Sequence, residues 1–233
     1  MNLLSGIKDA TMLEVLRQFF EVCKAGTEGE AGTAEGTNPN TIQFATAFDF
    51  FINGKWYAKG ITDNVAMTAL AVQAVDTRCK YLVYITPTAT VGIAKGVAVR
   101  KYSLTKSTLA FDAIRKQLLS SDGGLGYFRV GDLVTISGFT DGDNNQTFTV
   151  EAATDNYLQF VEAGMAYEAE GDAVTLIVDC VIPDLPRGTA PVAQMLVTTD
   201  SNTTFTSGTD DITTFTNAGG AVAFTDLACM PII

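Results

Sequence analysis

The stretch Phe48-Asp49-Phe50-Phe51-Ile52-Asn53-Gly54-Lys55-Trp56-Tyr57-Ala58 decides the reading of the fold. Phe48, Phe50 and Ile52 fall at alternate positions, the period that puts side chains on one face of a strand. Asn53-Gly54 is the dipeptide best suited to the two positive backbone angles of a type I′ turn. Trp56 and Ala58 carry the pattern back, so the segment predicts a β-hairpin. Downstream, Val65–Val72 is compatible with a strand or with a short helix. Tyr81–Ile85 predicts a buried strand stopped by Pro87, and Val91–Ala94 with Val97–Val99 another strand interrupted at Lys95-Gly96. Roughly thirty threonines are spread along the chain, which suits half-exposed pleated surfaces better than helices.

Beyond Ser103 the pattern changes. Ser107 stands where it can cap a helix bearing Leu109, Ala113, Ile114 and Leu118, with Arg115 and Lys116 near the last turn. That helix is expected to break at Ser120–Gly124. Strands are then expected over Leu133–Ser137, Gln146–Glu151, Tyr157–Val161 and Ala173–Val178, with turn residues between them at the spacing of a small barrel or sandwich. Ile182–Gly188 reads as a linker, and Thr-rich strands resume from Val192–Val197 toward Phe224.

At the other end, Thr11 and Glu14 have capping-box spacing, and Leu13, Leu16, Phe20 and Cys23 recur at helical intervals up to Ala25-Gly26. This helix either packs on its own domain or is an arm whose stripe of Leu13, Leu16 and Phe20 binds a partner. Thr27–Thr37, nearly all Gly, Ala, Thr and Glu, reads as a flexible linker. The fold class expected is mainly β: a bipartite Thr-rich β-sandwich or barrel domain with an inserted small β module and an N-terminal helix. The arm and linker occupy 1–37, the bipartite domain 38–102 plus 185–233, and the inserted helix and β module 103–184.

Composition narrows the chemistry. In 233 residues, 26 Asp+Glu outweigh 15 Lys+Arg, for a net charge of −11. That balance speaks against a broad nucleic-acid surface, which needs Lys and Arg to neutralise phosphates, and against an acidic membrane face. There is no histidine, which removes Ser-His-Asp, Cys-His and His-metal mechanisms together. Cys23, Cys79, Cys180 and Cys229 form no close pair, so they read as reduced core thiols rather than zinc ligands, although two disulfides remain open. Met1–Asp9 lacks the basic and apolar regions of a secretory signal, which fits synthesis in a cytoplasm.

Asp141-Gly142-Asp143-Asn144-Asn145 places carboxylates as a calcium loop does, but Ala152 stands where the bidentate Glu belongs, so a solvated turn is expected. Gly124-Leu125-Gly126 lacks the rest of a dinucleotide motif. Phe48, Phe50 and Trp56 read as hairpin packing or, less simply, as the lining of a sugar site. No catalytic, cofactor-binding or metal-binding residue is expected, and the chain is read as a non-enzyme. A depolymerase using two carboxylates stays in view, since 26 acidic side chains are present and no pair is singled out by spacing.

Two stretches carry a resemblance. Leu185-Pro186-Arg187-Gly188-Thr189-Ala190-Pro191-Val192, then Leu196-Val197, then Phe205-Thr206-Ser207-Gly208-Thr209-Asp210-Asp211-Ile212, resembles a recurring signature of tailed-bacteriophage virion proteins. Ala47–Phe50 with Asn53-Gly54, and Thr62–Asn64 with Ala66-Met67, look like the partner half of the same domain. Gly131–Phe139, Asn144-Asn145 and Phe148–Val150 are similar to a small β module of phage structural proteins. Arg187 and Asp210 depart from the pattern, where smaller or neutral residues are usual. The resemblance implies a virion structural protein of the head decoration (cement) or head-fibre type, sited on the capsid surface. It further implies the major capsid protein as partner, a homotrimer, and no cofactor, nucleic acid or membrane. The alternative it leaves is a tail or fibre adhesin that reads a host surface.

Overall fold

The computed structural model describes residues 25–227. The helix expected from Thr11, and with it Leu13, Leu16 and Phe20, lies outside the described residues, but its expected end at Ala25-Gly26 is instead part of a strand. The protein is mainly β, with strands over 46% of the structure and helix over 4%, and its sheets are antiparallel and sandwich-like. In chain order the strands are β1 (Ala25–Glu28), β2 (Thr33–Glu35), β3 (Thr41–Phe44), β4 (Phe48–Ile52), β5 (Lys55–Lys59), β6 (Thr62–Ala66), β7 (Thr77–Ile85), β8 (Val91–Lys95) and β9 (Val99–Arg100). Then come β10 (Ser103–Lys106), β11 (Leu109–Asp112), β12 (Gln117–Ser120), β13 (Leu133–Ser137), β14 (Thr147–Ala153), β15 (Tyr157–Phe160), β16 (Val174–Asp179), β17 (Ala190–Thr198) and β18 (Ala221–Asp226). A six-residue helix, Ile212–Asn217, precedes β18.

The chain forms two compact units, the second comprising 76–78 and 98–181 and the first the remainder. In the first unit, sheets β1-β4-β5 and β2-β3-β6 accompany the sheet β18-β17-β7-β8. Its core sets Phe44 edge-on to Phe48 at 5.4 Å and Tyr81 edge-on to Phe205 at 5.9 Å, geometries favoured by the aromatic quadrupole. Gly208 lies at φ +79, where a Cβ would stand 2.7 Å from the Met67 carbonyl oxygen, so only glycine fits this crossing. Beside it the Asp210 carboxylate accepts from the Thr206 amide at 2.6 Å, and Asp211 caps the short helix.

The second unit is one seven-stranded sheet, β10-β16-β13-β14-β15-β12-β11. β14 bends at a register shift between Val150 and Ala152, pairing with β13 before it and β15 after it. Phe111 on the edge strand lies only 5.7 Å from Phe148, three strands away. A flat sheet would separate those strands by roughly 14 Å. The sheet therefore curls around a core that also holds Leu109, Leu118, Val134, Ile136, Phe160 and Leu176.

Two expectations are corrected. The helix from Ser107 is instead the hairpin β11–β12: Leu109 and Phe111, then Leu118 and Ser120, are buried at alternate positions, and Ile114 sits 96% exposed at the tip. Asp112 accepts from the amides of Ile114 and Arg115, and Lys116 takes φ +55, which turns the chain back. The linker Thr27–Thr37 is not a linker throughout. β1 pairs with β4 and β2 with β3, and Thr27 is 1% exposed. Small side chains here serve close strand packing. Val65–Val72 is a strand only to Ala66; irregular backbone then runs to Gln73, which bridges to Phe205.

Candidate interaction surface

The hairpin predicted from Phe48–Ala58 is present, with Asn53 at φ 52 and Gly54 at φ 76 between β4 and β5. Its two faces differ. Phe48, Phe50 and Ile52 point into the core, and Tyr57 stacks on Phe50 at 5.3 Å. On the opposite face Trp56 rests against buried Phe51 at 5.4 Å yet stays 54% exposed. The aromatic trio is thus divided, Phe48 and Phe50 in the core and Trp56 at the surface, and does not line one site.

Beside the hairpin lies an open hollow of about 380 Å³ lined by Glu28, Phe48, Asp49 and Lys59, among others. Glu28 and Asp49 are direct cross-strand partners, an unfavourable placement for like charges that an open, wet surface tolerates. The Lys59 ammonium donates to the Ala89 carbonyl at 3.3 Å. A larger cleft of about 610 Å³ runs along Leu185–Thr189 opposite Ala25, Ile52 and Asn53. It presents one ionisable side chain, Arg187.

The polar clusters of the second unit hold loops in place. Lys106 donates to Asp122, to the Gly123 carbonyl at 2.5 Å and to Ser120 Oγ at 3.3 Å. A Ser–Lys nucleophile needs a neutral amine. Here the ammonium is tied to a carboxylate, and the hydrogen bond from Lys106, followed by that from Thr108, holds the Asp122 carboxyl well below the usual range. Asp155 accepts from the amides of Gly124 and Gly126, securing the glycine-rich loop that the motif Gly124-Leu125-Gly126 had marked. In Asp141–Asn145 a 3-10 turn replaces the simple solvated hairpin turn. Asn144 is fully buried, donating to Glu168 at 2.8 Å and accepting from Ala166 at 3.0 Å.

Among the described residues, no three or more Cys, Asp or Glu side chains converge as a metal site. Cys79 and Cys180 are buried; Cys23 and Cys229 lie outside the described residues. What sequence reasoning missed is exposure: large apolar side chains stand in solvent at Trp56, Ile61, Val97, Tyr127, Val130 and Tyr167. Only Trp56 carried a usable signal, its position on the outer strand of a predicted hairpin. Comparison with family models, with curated proteins and with solved structures returns no match for the chain.

Proposed function

We propose that the protein is a virion structural component of a tailed bacteriophage, a decoration (cement) protein that binds the outside of the head and stabilises contacts between capsomers. The observation that carries the reading is the distribution of exposed apolar side chains over both units, including Trp56 at 54%, Val97 at 78% and Tyr127 at 72% exposure. In this reading these side chains supply the apolar contacts with the shell. The residues that carry the resemblance to virion proteins do folding work, Phe205 in the core and Gly208 at a tight crossing, which suits a structural protein. The partner in this reading is the major capsid protein, and the subunits form a homotrimer on the capsid surface.

Stabilisation then follows from mass action, since a protein that binds the assembled head and not its dissociated parts shifts that equilibrium toward assembly. Mixing the purified protein with undecorated heads at about micromolar concentration and sedimenting the mixture tests this. Saturable co-sedimentation with raised head stability is expected. Protein that stays in the supernatant while binding whole host cells would replace the reading with the adhesin.

A further inference from the structure

The outer edge of β5 offers unused backbone. β5 ends its sheet, whose order is β1-β4-β5. In a two-residue hairpin the residues flanking the turn exchange hydrogen bonds, and bonded and non-bonded pairs then alternate. With Ile52 opposite Lys55 and Phe51 opposite Trp56, it is Lys55, Tyr57 and Lys59 that bond inward to β4. The N–H and C=O groups of Trp56 and Ala58 therefore point away from the sheet, and no protein group among the described residues meets them. Two other edge strands have neighbours on their outer side. β11 is bridged by Glu168, whose backbone exchanges both hydrogen bonds with Phe111, and the Ile93 amide of β8 donates to Thr68 Oγ1.

Side chains specify what the edge accepts. Lys55 is exposed with no counter-ion among the described residues, in a chain with a net charge of −11. It shares a face with Lys59, while Trp56 shares the other with Ala58. Two copies pairing antiparallel through β5, centred on Tyr57, would set Lys55 against Lys59, an unfavourable like-charge pair. In that register the two lysines disfavour self-pairing, a common protection of exposed strands.

We propose that the β5 edge is a strand-addition site for an extended acidic segment of a different protein, with carboxylates opposite Lys55 and Lys59 and small apolar side chains against Trp56 and Ala58. Backbone hydrogen bonds supply attachment and the alternating side chains supply selectivity. This deepens the decoration reading and rests on it only for naming the partner as a capsid subunit.

The test uses two probes. A blocked peptide of alternating glutamate and valine, titrated into the full-length protein and followed by NMR, is expected to shift the Trp56 indole and the Trp56 and Ala58 amides saturably. Lys55→Glu is expected to weaken this by at least about tenfold. Ala58→Pro, which removes an outward N–H that the fold does not use, is expected to abolish it while leaving the melting temperature nearly unchanged. Ala58→Ser retains binding as the control. Absence of a saturable shift up to about 1 mM peptide, or equal binding by an alternating lysine–valine peptide, overturns the site whatever the heads do. On undecorated heads, hydrogen exchange at the Trp56 and Ala58 amides is expected to slow by about 100-fold. Heads that bind the protein while those amides exchange freely overturn the site and leave the decoration reading standing. Heads that fail to bind a protein still taking up the acidic peptide overturn the decoration reading alone.

Discussion

Both units of the chain have buried aromatic cores, but they differ in how their sheets are joined. The second wraps one sheet around an apolar centre in which Phe111, Phe148 and Phe160 touch one another at 4.9–5.9 Å. The first joins smaller sheets through polar links between segments remote in sequence. Asp226 accepts from the amides of Gly32 at 2.7 Å and Thr33 at 3.1 Å, Thr27 Oγ1 donates to the Leu227 carbonyl at 2.9 Å, and Glu35 accepts from the Thr213 amide at 2.7 Å. Deep inside, Tyr81 donates to Gln73 at 3.1 Å, and Gln73 donates to the Val197 carbonyl at 3.2 Å. A core of packed rings resists charge and pH changes and fails when volume is removed. Polar links between sheets weaken when a single acceptor goes, because the donors left behind lose their partners.

The largest effect expected from this contrast is Phe148→Ala in the second unit. Phe148 is fully buried between Phe111 and Phe160, and its truncation should cost about 3–5 kcal/mol. Denaturant titration read by hydrogen exchange should show the loss concentrated in 98–181. Next comes Asp226→Ala in the first unit, which leaves the Gly32 and Thr33 amides without their acceptor. The expected cost is about 1–3 kcal/mol, measured as a lowered unfolding midpoint, with Asp226→Asn recovering part of it. An Asp226→Ala protein as stable as wild type would break the contrast between the units.

The smallest effects are in pH. Burial, with a lesser contribution from Cys79, pushes the Tyr81 phenol above its ordinary value of 10.0. A phenol raised in the folded state contributes stability that is intact below that value and fades as pH climbs past it. The first unit should therefore lose stability above pH 10.0, and Tyr81→Phe should flatten that limb. Asp122 in the second unit is shifted downward, so its contribution is present above the ordinary carboxylate value of 3.8 and disappears as pH falls further. Because Asp122 is exposed, the acid change should be slight and salt-sensitive. A melting series across pH checks both signs.

Where local chemistry and tertiary context agreed, the chain was readable. Asn53-Gly54 between alternating aromatics gave the hairpin, and Leu133–Ser137 fell on β13 because turns bounded a β-branched run. Leu109–Ser120 misled because Ser107, Arg115 and Lys116 imitate helix termini while the period-two burial of Leu109, Phe111, Leu118 and Ser120 competes with them; the curled sheet decided between the two. Thr27–Glu35 misled for the opposite reason. Its small residues carry little propensity, and their strand pairing depends on β4 and β3, which a local reading does not weigh. Of the candidate surface only the hairpin itself was legible: Trp56 was read first as hairpin packing and is exposed, and the freedom of the β5 edge follows from sheet order, a property of the whole unit.

The central claim is that this protein acts by adhering to a viral shell through its β surfaces. Electron microscopy of purified virions carrying gold-labelled antibody against this chain tests it most directly. The account predicts gold spread over the outer face of the head in a regular pattern. Gold confined to tail fibres, or absent from intact particles, would contradict it.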